Sequence, residues 1–426
     1  MKKSAYWDHD KINRLQNKNL RYIIKYAYNN VPFYHNKYKK LGINPNDIKN
    51  IKDLERMPII GKDEIRNNYA DLISKEYKIY NLKKISTSGS TGKPLLLWIS
   101  QDEDEIRKAN HLRANISCGQ KIRDKWVIIT SPHHFGSSTK LQRLLGIYVP
   151  RPVSVFKDID SQVEDIEKMK PDVLDGYTSS LLLLAKEVHK RKIRTINPRF
   201  ILGGAELIDD SSIRFIENVF GVPFYDHYSC IEFDSISWQC KEKLGYHIDA
   251  ESLVLEFIDE NGENCTGKTG EIVCTSLFNR AMPLIRYDIG DVGVMSDDEC
   301  PCGRTLPMMK MVEGRRDSLL FFPNGRVMSP RSFTVAISTF KHYTQIDQFR
   351  FVQKKIDNFE IYIKMKDYNV NTDILGKEIV NYLRKTLYLD PDLVDFDVKF
   401  VDNMPLDKTG KLMMVVSKLP KKDFRI

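Results

Sequence analysis

Apolar positions in the first 60 residues recur at helical spacing, Leu15, Ile23, Ile24 and Tyr28 among them, until Val31-Pro32 interrupts the pattern. This predicts polar-faced helices that act as a covering layer. From Ile85 to about Leu277 short apolar runs (LLLWI at 95–99, WVIIT at 126–130, FILGG at 200–204) alternate with amphipathic stretches such as SSLLLLAKEVHKR. That alternation predicts βαβ units around a mostly parallel sheet. Between Ser252 and Val294 the texture becomes strand, turn, strand: LVLEFI, DENGENCTGKTG, EIVCTSLF, with Asn261-Gly262 marking a tight turn and a β-rich subdomain expected. After GRRD at 314–317, FRFVQ, FEIYIKM and VDFDVKFV accompany one helix-like segment, ILGKEIVNYLRKTL, and predict a small α+β domain. No internal repeat or low-complexity segment is visible.

At roughly 150 residues per domain, 426 residues predict two or three packed units. Hydrophobic residues at 42% against 29% charged support a large core and exclude a globally disordered chain. The net charge of +9 is spread along the whole sequence, which reads as a solvated basic surface, so no nucleic-acid partner is expected. MKKSAYWDHDK lacks the apolar run of a signal peptide, and no stretch approaches the roughly 20 apolar residues of a membrane span. A cytoplasmic chain without a membrane partner is expected. Seven cysteines, an odd number, then read as thiols or metal ligands rather than disulfides.

Two stretches carry candidate chemistry. STSGSTGKP, Ser86 to Pro94, gathers hydroxyl side chains and two glycines around a lysine. Such a loop can wrap phosphate oxygens, because glycine lets backbone N–H groups approach and each hydroxyl donates. It is not a P-loop, since only Ser90 and Thr91 separate Gly89 from Gly92 and Pro94 follows Lys93; an ordinary polar turn is the alternative. Cys300-Pro-Cys302 supplies two thiols, and Cys240 with His247 a second pair. Together they match the Cys₃His recipe for tetrahedral structural Zn²⁺, with small core thiols as the alternative.

This loop, GGAEL at 203–207, DHYSCIE at 226–232, PLIRYDIGD at 283–291, GRRD at 314–317 and PLDKTGK at 405–411 resemble the ordered signatures of adenylate-forming enzymes. The texture is most similar to the phenylacetate-CoA ligase branch, including relatives labelled as capsular polysaccharide biosynthesis or coenzyme F390 synthetase proteins, and the resemblance runs from about residue 20 to 420. It implies an α/β fold: a large N-terminal adenylation domain (1–313) with mixed sheets and a β-rich subdomain, a hinge (314–318), and a small mobile α+β domain (319–426). The implied chemistry is carboxylate plus ATP giving acyl-adenylate and pyrophosphate, then attack by a thiol, usually that of coenzyme A.

Residue by residue, the resemblance implies that Thr87, Ser88, Gly89, Ser90, Thr91, Gly92 and Lys93 hold the β- and γ-phosphates. Gly204, Ala205 and Glu206 lie along the adenine, while Asp226, His227, Tyr228 and Ser229 close its other face, Tyr228 by stacking. Asp291 accepts from the ribose hydroxyls, Arg315 adds a charged donor there, and Glu232 holds Mg²⁺. The chain departs from the family where Ser229 replaces a glycine and Ile231 a hydroxyl residue, which leaves open how the α-phosphate is held. Lys411, delivered by the small domain, would neutralise charge at the α-phosphorus. Ser318 occupies the pivot about which that domain rotates between half-reactions. Relatives in this branch share the Cys…His…CxCG arrangement of Cys240, His247, Cys300 and Cys302. The similar TGK turn at 266–268 is assigned no chemistry.

By order along the chain, SPHHFGSS at 131–138, Tyr177 and Gly203 line the acid pocket, with His134, Phe135 and Gly136 at its wall. His133 and His134 either pair with the carboxylate or cap a strand end. The acid stays open between aryl, arylacetyl, amino and hydroxy acids. Expected partners are the acid, ATP and a thiol acceptor; transfer to an amine or sugar, or a zinc-stabilised module that binds polyanions, are the alternatives. A homodimer is left open.

Overall fold

The computed structural model describes residues 3–87, 95–132, 138–315, 320–328, 330–366, 371–404 and 412–419. They pack as two compact units, Met1–Gln120 with Tyr225–Val312 and Lys121–Phe224 with Glu313–Ile426.

In the first unit the helix His9–Asn30 begins behind Asp8, whose side chain accepts the Lys11 amide. It ends at Val31, extended with φ −115°, and Pro32 opens the helix Pro32–Lys40, where its missing N–H would be unpaired anyway. Leu20, Ile23, Ile24 and Ala27 bury in one core with Leu253, Phe257, Ile272 and Tyr287, so the expected covering layer is present and its apolar stripe faces a sheet. That sheet runs Leu253–Ile258, Thr269–Ser276, Tyr287–Ser296, Met308–Arg315, Tyr246–Ile248, Asp234–Gln239, Phe224–Cys230. The paired edges are antiparallel: Leu255 faces Cys274 and Trp238 faces His247. Gly262, with φ +81°, makes the turn expected at Asn261-Gly262.

The LLLWI run does not join a parallel sheet. Leu96–Ile99 pairs antiparallel with Lys83–Ser86 as a separate hairpin. The reason is its burial: Leu97 and Ile99 are buried while Leu96 and Trp98 are only half-buried, a one-sided strand rather than one covered on both faces.

The second unit holds the expected parallel strands, in the order Phe200–Gly204, Val173–Tyr177, Trp126–Thr130, Pro150–Ser154. Helices Ile159–Met169, Thr178–Arg191 and Asp210–Phe220 follow them, and Val127, Ile129, Leu174, Leu181, Leu184 and Ile201 share one core. Residues from Leu320 onward build a further sheet, Asp395–Phe400, Asn358–Met365, Ile346–Lys355, Val415–Ser417, backed by the predicted helix Thr372–Leu387 and by an unpredicted one, Pro330–Ser338. Phe333, Phe351, Phe359 and Ile379 centre its own core. Among the described residues no helix is long and apolar enough to cross a membrane.

Candidate functional site

In the first unit, the strand Phe224–Cys230 returns through residues 231–233 into Asp234–Gln239, and the register slips between Tyr228 and Ser229. This local irregularity re-aims successive side chains. Asp226 is fixed from three sides: its amide donates to Gln239 Oε1 (2.9 Å), its Oδ2 accepts the Tyr246 hydroxyl (2.6 Å), and its Oδ1 accepts the His227 amide (2.9 Å). His227 points inward. Its Nε2 lies 3.0 Å from Ser235 Oγ, which donates to Asp249, and its ring meets His111 edge-on at 4.9 Å. Burial, with His111 adding to it, pushes the His227 pKa well down, so the ring is neutral at neutral pH.

Tyr228 donates its hydroxyl to Asp291 Oδ2 at 2.7 Å, so two residues 63 positions apart that were both assigned to the nucleotide are in contact. Glu232 is buried, and Tyr287 donates its hydroxyl to Glu232 Oε1 at 2.9 Å. Burial and then the adjacent carboxylate raise the Tyr287 pKa, which keeps that hydroxyl a donor. Arg107 donates to the main-chain oxygens of Ile231 and Glu232, holding the turn that presents the acid. The PLIRYDIGD segment is itself anchored: Arg286, at φ +48°, is buried against Glu256 at 2.8 Å and donates to Met57 O. Sequence reasoning missed Tyr287, Arg107, Tyr246, Ser235 and Asp249. Tyr287 sits inside a quoted signature, but its partnership with Glu232 needs the fold.

Cys240, His247, Cys300 and Cys302 converge, their ligand atoms all within 4.8 Å of one another. Cys240 Sγ and Cys300 Sγ are 3.6 Å apart, and Cys302 Sγ is 3.4 Å from His247 Nε2. These two separations match two edges of a tetrahedron: Zn–S of about 2.3 Å and Zn–N of about 2.0–2.1 Å place two sulfurs about 3.8 Å apart and sulfur and nitrogen about 3.5 Å apart. A disulfide, at about 2.05 Å, is excluded. Gly303, at φ +79°, closes the turn that folds the CxC pair back. Burial, then Arg304 and Arg113, brings the His247 pKa down to about 4, leaving the neutral ring that ligates metals. Trp238 packs on His247 at 5.1 Å and donates to Asp249 at 3.2 Å. One strand therefore links the cysteine cluster to the network beneath His227.

In the second unit Gly203 and Gly204 end their strand, and at Gly203 a side chain cannot fit: a Cβ there would meet the Phe224 ring at 2.1 Å. Ala205 is left-handed at φ +67°. Glu206 Oε2 accepts the Ser179 amide at 2.8 Å, and Thr178 Oγ1 donates to Gly204 O at 3.3 Å, so the strand end is tied to the start of the helix Thr178–Arg191 just after buried Tyr177. Of the glycine-rich loop, Thr87 is described in the first unit, where its hydroxyl accepts the Leu95 amide at 2.9 Å. Ser88 to Lys93, His133, His134, Phe135, Gly136, Ser318, Lys411 and the Arg315 side chain lie outside the described residues.

No protein-family model matches the chain. It is 27% identical over 324 residues to the phenylacetate-coenzyme A ligase of Thermus thermophilus, covering 73% of this chain and 72% of that protein. It is 23% identical over 436 residues to Protein CapK of Staphylococcus aureus, covering 95% of this chain and 89% of that protein. A crystal structure of 2-hydroxyisobutyryl-CoA ligase in the postadenylation state, in complex with R3-HIB-AMP, aligns with a TM-score of 0.80 at 19% identity over 96% of this chain and 90% of that one. The two share a fold.

Proposed function

We propose that this chain, an adenylate-forming ligase of the phenylacetate-CoA ligase-like branch, uses ATP to activate a carboxylic acid as its acyl-adenylate and passes the acyl group to the thiol of coenzyme A. The observation that carries this reading is the pairing of signature side chains: Tyr228 on Asp291 and Tyr287 on Glu232. Each of these two acids is met by a tyrosine hydroxyl, buried at Tyr287 and half-buried at Tyr228, the preorganisation that a charge-stabilising site needs.

In the first half-reaction a carboxylate oxygen attacks the α-phosphorus; the new P–O bond forms as the α–β anhydride breaks and pyrophosphate leaves. Thr87 to Lys93 would hold the departing phosphates, with backbone and hydroxyl donors where charge accumulates. Asp291 would accept from the ribose hydroxyls with Arg315 beside it, while Gly204, Ala205 and Glu206 on one side and Tyr228 with Ser229 on the other would enclose the adenine. Asp226 and His227, whose partners lie inside the unit, would act by fixing that strand. Magnesium, when bound, supplies charge neutralisation at the phosphates, and Glu232 would be the hard oxygen that holds it. Lys411 would place its ammonium between the carboxylate and the phosphorus. In the second half-reaction the thiolate attacks the acyl carbon and AMP departs. Rotation about Ser318, between domains 1–313 and 319–426, would withdraw Lys411. The separate core of residues 320–415 supports that division. His134, Phe135, Gly136, Tyr177 and Gly203 would line the acid pocket.

Zinc, held by Cys240, His247, Cys300 and Cys302, would cross-link the strand after Glu232 to the turn before Met308, and the convergence of the four ligand atoms supports it. The similarity to Protein CapK along 95% of this chain favours a second reading, adenylation followed by transfer to an amine or sugar. Exchange of labelled pyrophosphate into ATP across a panel of acids tests adenylation. Acyl-CoA formation on adding coenzyme A then separates the two acceptors.

A further inference from the structure

Residues 127–224 and 320–415 build two cores that share no side chain, yet both belong to the second unit. Where they meet, a narrow slot of about 40 Å³ is lined by Leu182, Lys186, Asp347, Phe349 and Leu412. Among the described residues one ion pair spans it. Lys186, on the helix Thr178–Arg191, donates to the main-chain oxygen of Asp347 and lies 3.1 Å from its Oδ1. Lys364 meets the other carboxylate oxygen at 3.2 Å. A second polar contact, between the Tyr343 and Ser212 hydroxyls at 3.5 Å, is too long to fix the geometry by itself.

A half-buried ion pair of this kind adds little net stability, because desolvation opposes attraction, while its directional geometry is met in one docked arrangement. Desolvation lowers the Lys186 pKa against the pull of Asp347, so the pair carries the desolvation penalty that an open surface pair avoids. Such a contact suits an interface that must form in one arrangement and separate in another. Its location is informative as well: Leu412 lines the slot together with Thr178 and Glu206, and Leu412 directly follows Lys411 in the chain.

We propose that Lys186 and Asp347 are a latch: paired, they dock the C-terminal body so that the segment after Lys411 lies against the strand end Gly204–Glu206 for adenylate formation, and their separation releases it for thioester formation. Both are positioning residues. This rests on the adenylating function proposed above and names the contact that selects between its two half-reactions.

The test separates the half-reactions in the full chain. Lys186→Met removes the bridging ammonium while Lys364 still partners Asp347, so no bare carboxylate is stranded. Pyrophosphate exchange should fall about tenfold, conversion of supplied acyl-adenylate and coenzyme A to thioester should proceed at the parent rate or faster, and Lys186→Arg should restore exchange. Adding Asp347→Asn to Lys186→Met should cost no further exchange activity, because the pair acts as a unit. Unchanged exchange, or an equal fall in both half-reactions, overturns the latch. Hydrogen exchange supplies an arm independent of catalysis: Lys186→Met should speed exchange at the outer turns of Thr178–Arg191 and in Ile346–Lys355 near Asp347, leaving Val173–Tyr177 protected. If the parent chain shows no acid-dependent exchange of pyrophosphate, the functional reading fails, and the hydrogen-exchange arm still decides the latch, since identical protection in parent and variant overturns it.

Discussion

Glu232 and Asp291 are each met by a tyrosine hydroxyl on a shared core, whereas Lys186 and Asp347 face each other at the rim of a slot between two separate cores. The first arrangement holds acids in place whatever the nucleotide does. The second is a directional ion pair, with only a long Tyr343–Ser212 contact described beside it, and its loss leaves both cores intact. On the proposed function the two regions have distinct jobs: the acids proposed to meet the nucleotide are fixed by packing, and the lysine proposed to meet the phosphorus would be delivered by a body that moves.

The sharpest way to break this contrast is to remove the delivered group. Lys411→Ala should reduce pyrophosphate exchange at least about 10²–10³-fold, the size of one preorganised electrostatic donor, while supplied acyl-adenylate is still converted to thioester. Equal loss of both half-reactions would contradict delivery by a moving body.

Within the fixed region, the cysteine cluster should fail as a fold rather than as a catalyst. One zinc per chain is expected by elemental analysis. Its removal with a strong chelator, or Cys302→Ser, should lower the melting temperature by about 10 °C or more, since several kcal/mol of metal-linked folding energy are lost and each shifts melting by roughly 2–4 °C in a unit of this size. Because Trp238 touches both His247 and Asp249, tryptophan fluorescence should report the change. Metal-free protein with unchanged melting would remove the zinc site.

A smaller effect is expected at the hydroxyl on Glu232. Tyr287→Phe leaves the packing and removes one donor to a buried acid, worth about 1–2 kcal/mol, a factor of roughly 5–30. It should appear as a raised magnesium requirement, partly rescued by excess magnesium. Insensitivity to magnesium would mean that Tyr287 only packs.

The smallest effect belongs to a rim pair inside the C-terminal body. Lys354 and Lys399 hold the Glu360 carboxyl at about 2, below its ordinary value. Its contribution is therefore complete above about pH 4.5 and fades as pH falls toward 2. Solvent beside the pair keeps Glu360→Gln under ~1 kcal/mol, with no change in either half-reaction, which separates it from the latch.

Local signals in the sequence are legible because they are local. Val31-Pro32 ends one helix and starts the next, Asn261-Gly262 turns, and SSLLLLAKEVHKR follows its strand as a helix. LLLWI misleads because a short apolar run does not say whether one face or two will be covered, and PRSFTVAIS hides a helix behind β-branched residues. In the site, the grouping of Cys240, His247, Cys300 and Cys302 is legible from their residue types in two pairs and from the resemblance, since a CxC spacing is a weak signal by itself. The tyrosine on Glu232 and the Ser235–Asp249 support beneath His227 are not, because partners 55 and 14 positions away leave no trace in periodicity. Lys186 reads as one more solvated lysine on an amphipathic helix until the fold sets Asp347 before it.

The central claim is that this chain couples a carboxylate to AMP. Incubating the full-length protein with ATP, magnesium, labelled pyrophosphate and a panel of aryl, arylacetyl, amino and hydroxy acids tests it most directly. The account predicts label entering ATP only when a fitting acid is present; label entering with no acid, or with none of them, together with no binding of ATP or AMP, would contradict it.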